Sequence, residues 1–267
     1  MFFPFHDDNP TSRMPVITCA LIGVNVVVFL WFWRLPEADQ QEAVYRRGLV
    51  PIWISQLGDP KPIGVPVQGV VRHPRFRQAF LAQGWIPVNP PTRPQILLSL
   101  VTCMFLHGGW LHLIGNMWFL WIFGNNVEDR LGMVVYLVLY LAGGLLASGC
   151  HWATHMESIA PVIGASGAVA AVLGAYAITW PWARVHTVVV LIVFITIVDL
   201  PALLVLGMWF VIQLLEGTKE GVAQGVAWWA HIGGFLAGVA LMPVFSAAVG
   251  ADGKKEGGEE AAADFLE

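Results

Sequence analysis

The chain has 267 residues, of which 57% are hydrophobic and 12% are charged, and its formal net charge is −4. Soluble domains carry roughly 25% charged residues, so this composition indicates a membrane protein. The sequence has no dense run of Lys and Arg, which excludes an electrostatic surface for nucleic acid, and we expect no nucleic-acid partner.

Apolar segments separated by Gly, Pro and charged residues predict the membrane spans, in chain order. They are residues 15–33, 110–124, 132–154, 166–180, 202–215 and 226–245. The first segment is longer than the apolar core of a signal peptide, and no small-residue cleavage pattern follows it. We therefore expect an all-α polytopic membrane protein, a bundle of six transmembrane helices whose first helix is retained.

The rest of the chain divides around these spans. We predict an N-terminal cytoplasmic segment at residues 1–14, a membrane domain at residues 15–246 with a large first loop at residues 34–109, and a disordered tail at residues 247–267. The tail is predicted to be disordered because its composition is polar and of low complexity.

Two further apolar stretches are too short to span a bilayer. Residues 96–106 are separated from the next helix by His107-Gly108-Gly109. Residues 188–198 are rich in β-branched side chains, which favours a strand or a loop at the membrane interface.

Alternation of the spans predicts that the second, fourth and sixth helices begin at the same membrane face. His112 lies near the start of the second helix, Ser166 starts the fourth, and His231 lies early in the sixth. At 1.5 Å per residue, all three lie within about 10 Å of that face. The basic residues of the short loops favour a cytoplasmic N-terminus, which puts the shared face on the extracytoplasmic side.

Ser166 lies in the motif Gly164-Ala165-Ser166-Gly167, after a loop that contains Pro161. A serine at a helix start, flanked by glycine, can face a cavity, and the nearby backbone amides can stabilise a developing oxyanion. The alternative is that these small residues serve only close helix packing, which is their usual role in membranes.

His231 is an ionisable residue inside an apolar helix, which is costly and indicates a function. Small residues allow the fourth and sixth helices to approach closely, so that His231 could accept the Ser166 proton. They are Gly167, Ala171 and Gly174 on the fourth helix and Gly233, Gly234 and Gly238 on the sixth. The alternative is a structural histidine with satisfied hydrogen bonds.

His112 and Asn116 are four residues apart, so both project from one face of the second helix. As hydrogen-bond donors to a tetrahedral intermediate, each could contribute on the order of 3 kcal/mol. Interhelical hydrogen bonding is the alternative. His107 is expected to brace the loop before this helix.

The three helices that carry these residues contain no Asp or Glu, so a Ser–His dyad is predicted, with the imidazole oriented by packing. No HExxH motif or pair of membrane aspartates is present. Cys19, Cys103 and Cys150 lack metal-ligand spacing and are expected to be small buried apolar residues. We expect no metal and no cofactor.

Four motifs in order resemble the rhomboid family of intramembrane serine proteases over roughly residues 105–241. They are LHGGWLHLIGN at 106–116, NVEDRLG at 126–132, GASGA at 164–168 and AHIGGFLAG at 230–238. The resemblance implies a six-helix core in which Ser166 and His231 are the catalytic dyad. It also implies that His112, Asn116 and the Ser166 amide stabilise the oxyanion.

By the same resemblance, residues 34–95 lie partly in the outer leaflet, residues 188–198 belong to an interfacial loop, and residues 202–215 form a mobile gate. The implied partners are membrane lipids and substrates that are transmembrane helices, and the implied location is a bacterial inner membrane. The oligomeric state stays open. One departure from the family is Ala170, where many members carry an aromatic residue that packs on the catalytic histidine.

Two other functions compete with proteolysis. A catalytically silent rhomboid relative would bind membrane proteins, but such relatives lack the serine or the histidine, and Ser166 and His231 are both present. A transporter would show internal repeats and broken helices with polar residues at the membrane midplane, and the sequence has no such pattern.

Overall fold

A computed structural model describes residues 2–72, 79–191, 194–218 and 226–263. The fold is mostly helical, as predicted. Its helices are α1 (Val16–Trp33), α2 (Glu37–Arg47), α3 (Pro51–Ser55), α4 (Arg93–Thr102), α5 (Trp110–Leu131), α6 (Met133–Thr154), α7 (Ser166–Thr179), α8 (Ala202–Gly217) and α9 (Trp228–Ala263). A short 3₁₀-helix, Cys103–Phe105, follows α4.

Strands correct the all-α prediction. They are β1 (Phe2–Asp7), β2 (Ile63–Arg72), β3 (Ala79–Val88), β4 (Arg184–Leu191) and β5 (Phe194–Pro201). They form an antiparallel sheet in the order β1-β4-β5 and a separate antiparallel hairpin, β2-β3. The β4-β5 pair agrees with the first of the two alternatives predicted for residues 188–198, a strand or a loop, because β-branched side chains favour extended backbone.

By length and composition, three or four helices among the residues that the structure describes can cross a membrane. They are α1, α6 and the Trp228–Gly250 part of α9, with α4 and α5 as a fourth span bent by 78° at the break between them. This break contains His107-Gly108-Gly109, the segment that the sequence predicts to separate residues 96–106 from the next helix. This number is below the predicted six, because α7 and α8 are apolar but shorter than the roughly 20 residues that a full span needs.

The outward faces of the long helices are apolar. Val27 on α1, Leu111 on α5 and Val134 on α6 are 67%, 88% and 76% exposed. Water would penalise so much exposed apolar surface, whereas lipid chains solvate it. These faces therefore fit a surrounding bilayer.

The middle of the bundle is α7, in which residues 167–177 are all buried. It contacts α5, α6, α8 and α9. Tyr136, Tyr140 and Tyr176 are among the largest fully buried side chains of the core around it. Because α7 is enclosed by its neighbours, its first residue is held at a defined depth.

The structure adds detail to three predicted segments. Residues 34–109, predicted as the large first loop, contain α2, α3, α4 and the β2-β3 hairpin. Helix α5 continues past Gly124 to Leu131, because its buried Asn126 and Glu128 find hydrogen-bond partners on the N-terminal segment and on α1. Helix α9 extends to Ala263, into the predicted tail.

The cysteines follow the prediction in part. All three are free, with Cys103 buried and Cys150 partly buried, but Cys19 is exposed. The apolar segment around Cys19 suggested burial in protein, but its position on α1 leaves it on an outer face of the bundle. Helical periodicity alone does not distinguish protein-facing from lipid-facing positions of a wholly apolar helix.

Candidate active site

Ser166 is the first residue of α7 and lies after a tightly held turn. Gly164 has a φ of 128°, which only glycine adopts without strain. Its amide donates to the Cys103 carbonyl at 2.8 Å, and the Ala165 amide donates to His107 Nε2 at 3.4 Å. His107 thus contacts the turn that precedes Ser166. The amides in the first turn of α7 have no acceptor within the helix and can bind negative charge.

The side chains of Ser166 and His231 meet across α7 and α9. The Ser166 Oγ lies 2.7 Å from His231 Nε2, a hydrogen-bond distance. These two side chains, which are 65 residues apart in the sequence, therefore lie within hydrogen-bond distance, and their catalytic roles stay a prediction.

Small residues on both helices make this contact possible. A Cβ on Gly234 would overlap the Gly167 carbonyl, and a Cβ on Gly238 would overlap the Ala171 carbonyl. Any larger side chain at these positions would push the two backbones apart. The predicted packing of small residues and the Ser–His contact therefore occur together.

His231 is held on its other ring nitrogen by a residue that the sequence reasoning missed. Its Nδ1 lies 2.7 Å from Oε1 of Gln213, on α8. Gln213 is buried, with 5% of its surface exposed. The sequence did contain a signal for Gln213, because a polar amide within an otherwise apolar helix is as unusual as an ionisable residue. The prediction that packing alone orients the imidazole is therefore incomplete.

Aromatic rings also surround His231, although Ala170 is not aromatic. The rings of Trp209 and Trp228 lie with their centroids 5.9 Å from that of the imidazole. Ala170 is fully buried, and its Cβ lies close to Gly234, where α7 and α9 approach each other. The close approach leaves no room for a ring at position 170, so α8 and the start of α9 supply the aromatic contacts instead.

His112 and Asn116 lie one turn apart at the start of α5, near the turn before Ser166. A Cβ on Gly164 would overlap the His112 ring, so that ring packs directly against the turn. The His107 and His112 rings lie 5.1 Å apart in an edge-to-face arrangement. Asn116 Nδ2 donates to the His112 carbonyl at 2.9 Å, which fixes the direction of its amide.

One cavity of about 1180 Å³ joins all four predicted residues. Its lining includes Ser166, His231, His112 and Asn116, together with Gln213, Trp209, Trp228, His151 and His155. The rings of His151 and His155, which the sequence reasoning also missed, are stacked 4.7 Å apart. Their signal was the pair of histidines four residues apart at the end of an apolar segment.

The arrangement contains the parts that acyl transfer requires. A hydroxyl lies within hydrogen-bond distance of an imidazole, a third side chain contacts the other nitrogen of that imidazole, and polar donors line the same cavity. The start of α7 adds a positive partial charge where an oxyanion would form.

Comparison with known proteins gives a consistent match. The family model described as "Rhomboid domain" matches residues 94–248. Three curated relatives are similar over part of the chain. Presenilin-associated rhomboid-like protein A, mitochondrial, of Danio rerio is 31% identical over 42% of this chain and 29% of its own length. Rhomboid-like protein 11, chloroplastic, of Arabidopsis thaliana is 33% identical over 55% of this chain and 51% of its own. RHOMBOID-like protein 5 of the same plant is 34% identical over 53% and 42%.

The matched part covers about half of these relatives' length or less. Two of the three are named as mitochondrial or chloroplastic, so they give no support to the expected bacterial inner membrane.

Proposed function

The chain belongs to the rhomboid family, and we propose that it is a serine endopeptidase that cleaves transmembrane segments of other proteins within the bilayer. It is an integral membrane protein. The observation that carries the proposal is the 2.7 Å contact between Ser166 Oγ and His231 Nε2 in a cavity that also contains His112 and Asn116.

The geometry suggests the order of the chemical steps. The Ser166 hydroxyl gives its proton to His231 Nε2 while Oγ forms a bond to the scissile carbonyl carbon. Negative charge develops on the carbonyl oxygen, which His112, Asn116 and the Ser166 amide would stabilise. The imidazolium then protonates the leaving amine, and water hydrolyses the acyl-enzyme with His231 again acting as the base.

The proposed substrates are transmembrane helices that unwind near the cut. A peptide bond in a regular helix is hydrogen-bonded and cannot enter a serine-protease site, so the helix must open locally. Gly in place of Ala lowers the cost of opening by roughly 1 kcal/mol per residue. Substrates with such residues near the scissile bond are therefore favoured.

The topology in this proposal has six spans, in which α7 and α8 also cross the bilayer as short helices. Three basic residues lie at the end of the bundle opposite Ser166. Arg130 is near the end of α5, Arg184 begins β4 just after α7, and Arg13 follows Ser12, which contacts Asp129. Basic residues in short loops favour the cytoplasmic side. The cavity would then open on the extracytoplasmic side.

A fluorophosphonate probe tests the nucleophile and its base directly. Wild-type protein in membranes should be labelled on Ser166, and the labelling should disappear in Ser166→Ala and in His231→Ala. Ser99→Ala serves as the matched control, because Ser99 is a buried serine that donates to a carbonyl of its own helix, α4.

A cleavage assay completes this test. Ser166→Ala with unchanged expression and thermal stability should lose cleavage of a model transmembrane substrate. Retained cleavage would disprove the dyad, and labelling that does not depend on His231 would show that this histidine is not the base. A wild-type protein that is neither labelled nor active would favour the catalytically silent alternative.

A further inference from the structure

The amide of Gln213 has only one orientation that satisfies both of its ends. Its Nε2 donates to the Trp209 carbonyl, one turn earlier in α8, at 3.2 Å, and its Oε1 lies 2.7 Å from His231 Nδ1. A carbonyl oxygen cannot donate a proton. If the amide were rotated by 180°, its oxygen would therefore face the Trp209 oxygen, and the hydrogen bond would be lost.

This orientation determines which nitrogen of His231 carries the proton. Because Gln213 presents an acceptor, Nδ1 must be the donor, so Nε2 of the neutral ring is unprotonated and can accept from Ser166. The opposite tautomer would place a proton on Nε2 and face Gln213 Oε1 with a lone pair, leaving two acceptors opposed at 2.7 Å. Only the first tautomer lets His231 act as the base.

We propose that Gln213 is a positioning residue that holds the His231 imidazole in the tautomer and orientation required to accept the Ser166 proton. The inference rests on the proposed function. Gln213 takes no proton itself. When the Ser166 O–H bond breaks, the proton moves to Nε2 and the Nδ1 proton stays in its hydrogen bond to Gln213. When Nε2 later protonates the leaving amine, the same tautomer is restored.

A neutral amide suits this place in the bundle. Gln213 is 5% exposed and lies on an apolar helix, where an ionised carboxylate would be costly to bury except while it is paired with a charged imidazolium. An amide oxygen accepts the Nδ1 proton without adding a charge. Gln213 is therefore the third side chain of the site. Looking for acids on the three predicted site helices did not reveal it, because Gln213 is an amide and lies on α8.

Two variants at position 213 and one neighbour test the inference. Gln213→Leu removes the acceptor at similar size and should lower kcat about tenfold, the order expected for one buried hydrogen bond, with KM changed by less than about twofold. Gln213→Glu keeps an acceptor oxygen and should restore most of kcat. Ile212→Ala is the matched control, because Ile212 is the adjacent residue on α8 and is 52% exposed.

The pH profile separates positioning from a structural role. A carboxylate behind His231 would stabilise the imidazolium, so the acid limb of the kcat profile should move to higher pH by about one unit in Gln213→Glu. A side chain at position 213 that did not contact His231 would not move this limb. Nitrogen-15 NMR of labelled histidine should show His231 protonated on Nδ1 in wild type and a mixture of tautomers in Gln213→Leu.

The outcomes distinguish the two proposals. If wild type is labelled and active, Ser166→Ala is not, and Gln213→Leu keeps the wild-type kcat and pH profile, the positioning role is wrong while the proposed function stands. If wild type itself is inactive, the proposed function fails, and the NMR measurement still decides whether Gln213 sets the tautomer. A wild-type His231 protonated on Nε2 would overturn the inference in either case.

Discussion

Glu128, near the end of α5, caps the start of α1 by accepting hydrogen bonds from the amide and the hydroxyl of Thr18, each at 2.8 Å. It also accepts from the Ile17 amide at 2.8 Å. The residue before α1 is Pro15, which supplies no side-chain cap. A buried acid from another helix therefore does the work of an N-cap and complements the α1 dipole.

Replacing this acid should destabilise the fold without directly affecting the chemistry. Glu128→Ala leaves first-turn donors of α1 without an acceptor and should lower the free energy of unfolding by about 2–4 kcal/mol. Glu128→Gln keeps an acceptor and should cost less. The measurement is unfolding in detergent. Glu42→Ala, which removes an exposed pair with Arg46, should change stability by less than about 1 kcal/mol, and an equal loss in both would refute the capping role.

Adding one methyl group between α7 and α9 should separate the dyad. Gly234→Ala would press a Cβ against the Gly167 carbonyl, an overpacking that costs about 1–3 kcal/mol, and should reduce fluorophosphonate labelling. Gly149→Ala on α6 is the control, since a Cβ there meets nothing within 4 Å, and it should be neutral or slightly stabilising. Full labelling of Gly234→Ala would mean that the Ser–His contact does not depend on this close approach.

The proposed oxyanion donors should affect kcat rather than KM. His112→Ala and Asn116→Ala should each reduce kcat about 10²-fold, with KM nearly unchanged, because the charge they stabilise develops only in the transition state. The assay is steady-state cleavage of a transmembrane substrate. Asn125→Ala, on the same helix but away from the cavity lining, is the control. A rise in KM at constant kcat would assign both residues to substrate binding.

The β1-β4-β5 sheet should make stability depend on pH. His186 Nε2 lies 2.7 Å from Asp8 and its Nδ1 lies 2.6 Å from Asp199, and these two carboxylates raise the pKa of His186 above its usual 6.5. Protonation is therefore favoured in the folded state. The stabilisation should be complete below pH 6.5 and should be lost as the pH rises through the raised pKa.

Thermal unfolding from pH 5 to 9 checks this expectation. The wild type should lose stability as the pH rises through this range relative to His186→Asn, which cannot titrate. The His6 ring stacks on that of His186 with the centroids 5.6 Å apart, so the same comparison in a His6→Asn background isolates the contribution of His186. Parallel curves for the wild type and His186→Asn would rule out the proposed coupling.

Local patterns in the sequence predicted most of what lies near Ser166. The spacing of apolar segments gave the starts of the three site helices, and the glycines gave the close approach of two of them. Contacts between distant segments were not predictable in this way. Gln213 meets His231 only because α8 packs on α9, and β1 pairs with β4 across about 180 residues. Local periodicity contains no information about such pairings.

The strands were not predicted for a similar reason. Strand β1 is a short N-terminal segment with no regular alternation, and it is extended because β4 offers it an edge. Residues 63–72 and 79–88 contain Pro and Gly, which weaken a strand prediction from sequence. The end of α5 was misplaced because the partners of Glu128 lie on α1, more than 100 residues earlier.

Helix α8 is held at its start by hydrogen bonds to the segment between α7 and β4. It follows β5 directly, and its first amides, those of Ala202 and Leu203, donate to the carbonyls of Ala183 and Pro181. Gln213 lies about 17 Å farther along the helix axis. A rotation of α8 by about 10° about its start would move the Gln213 side chain by about 3 Å. This displacement is large enough to break its 2.7 Å contact with His231. A tilt of α8 that widened the cavity for an incoming substrate helix would thus break the hydrogen bond between Gln213 and His231 until α8 returned.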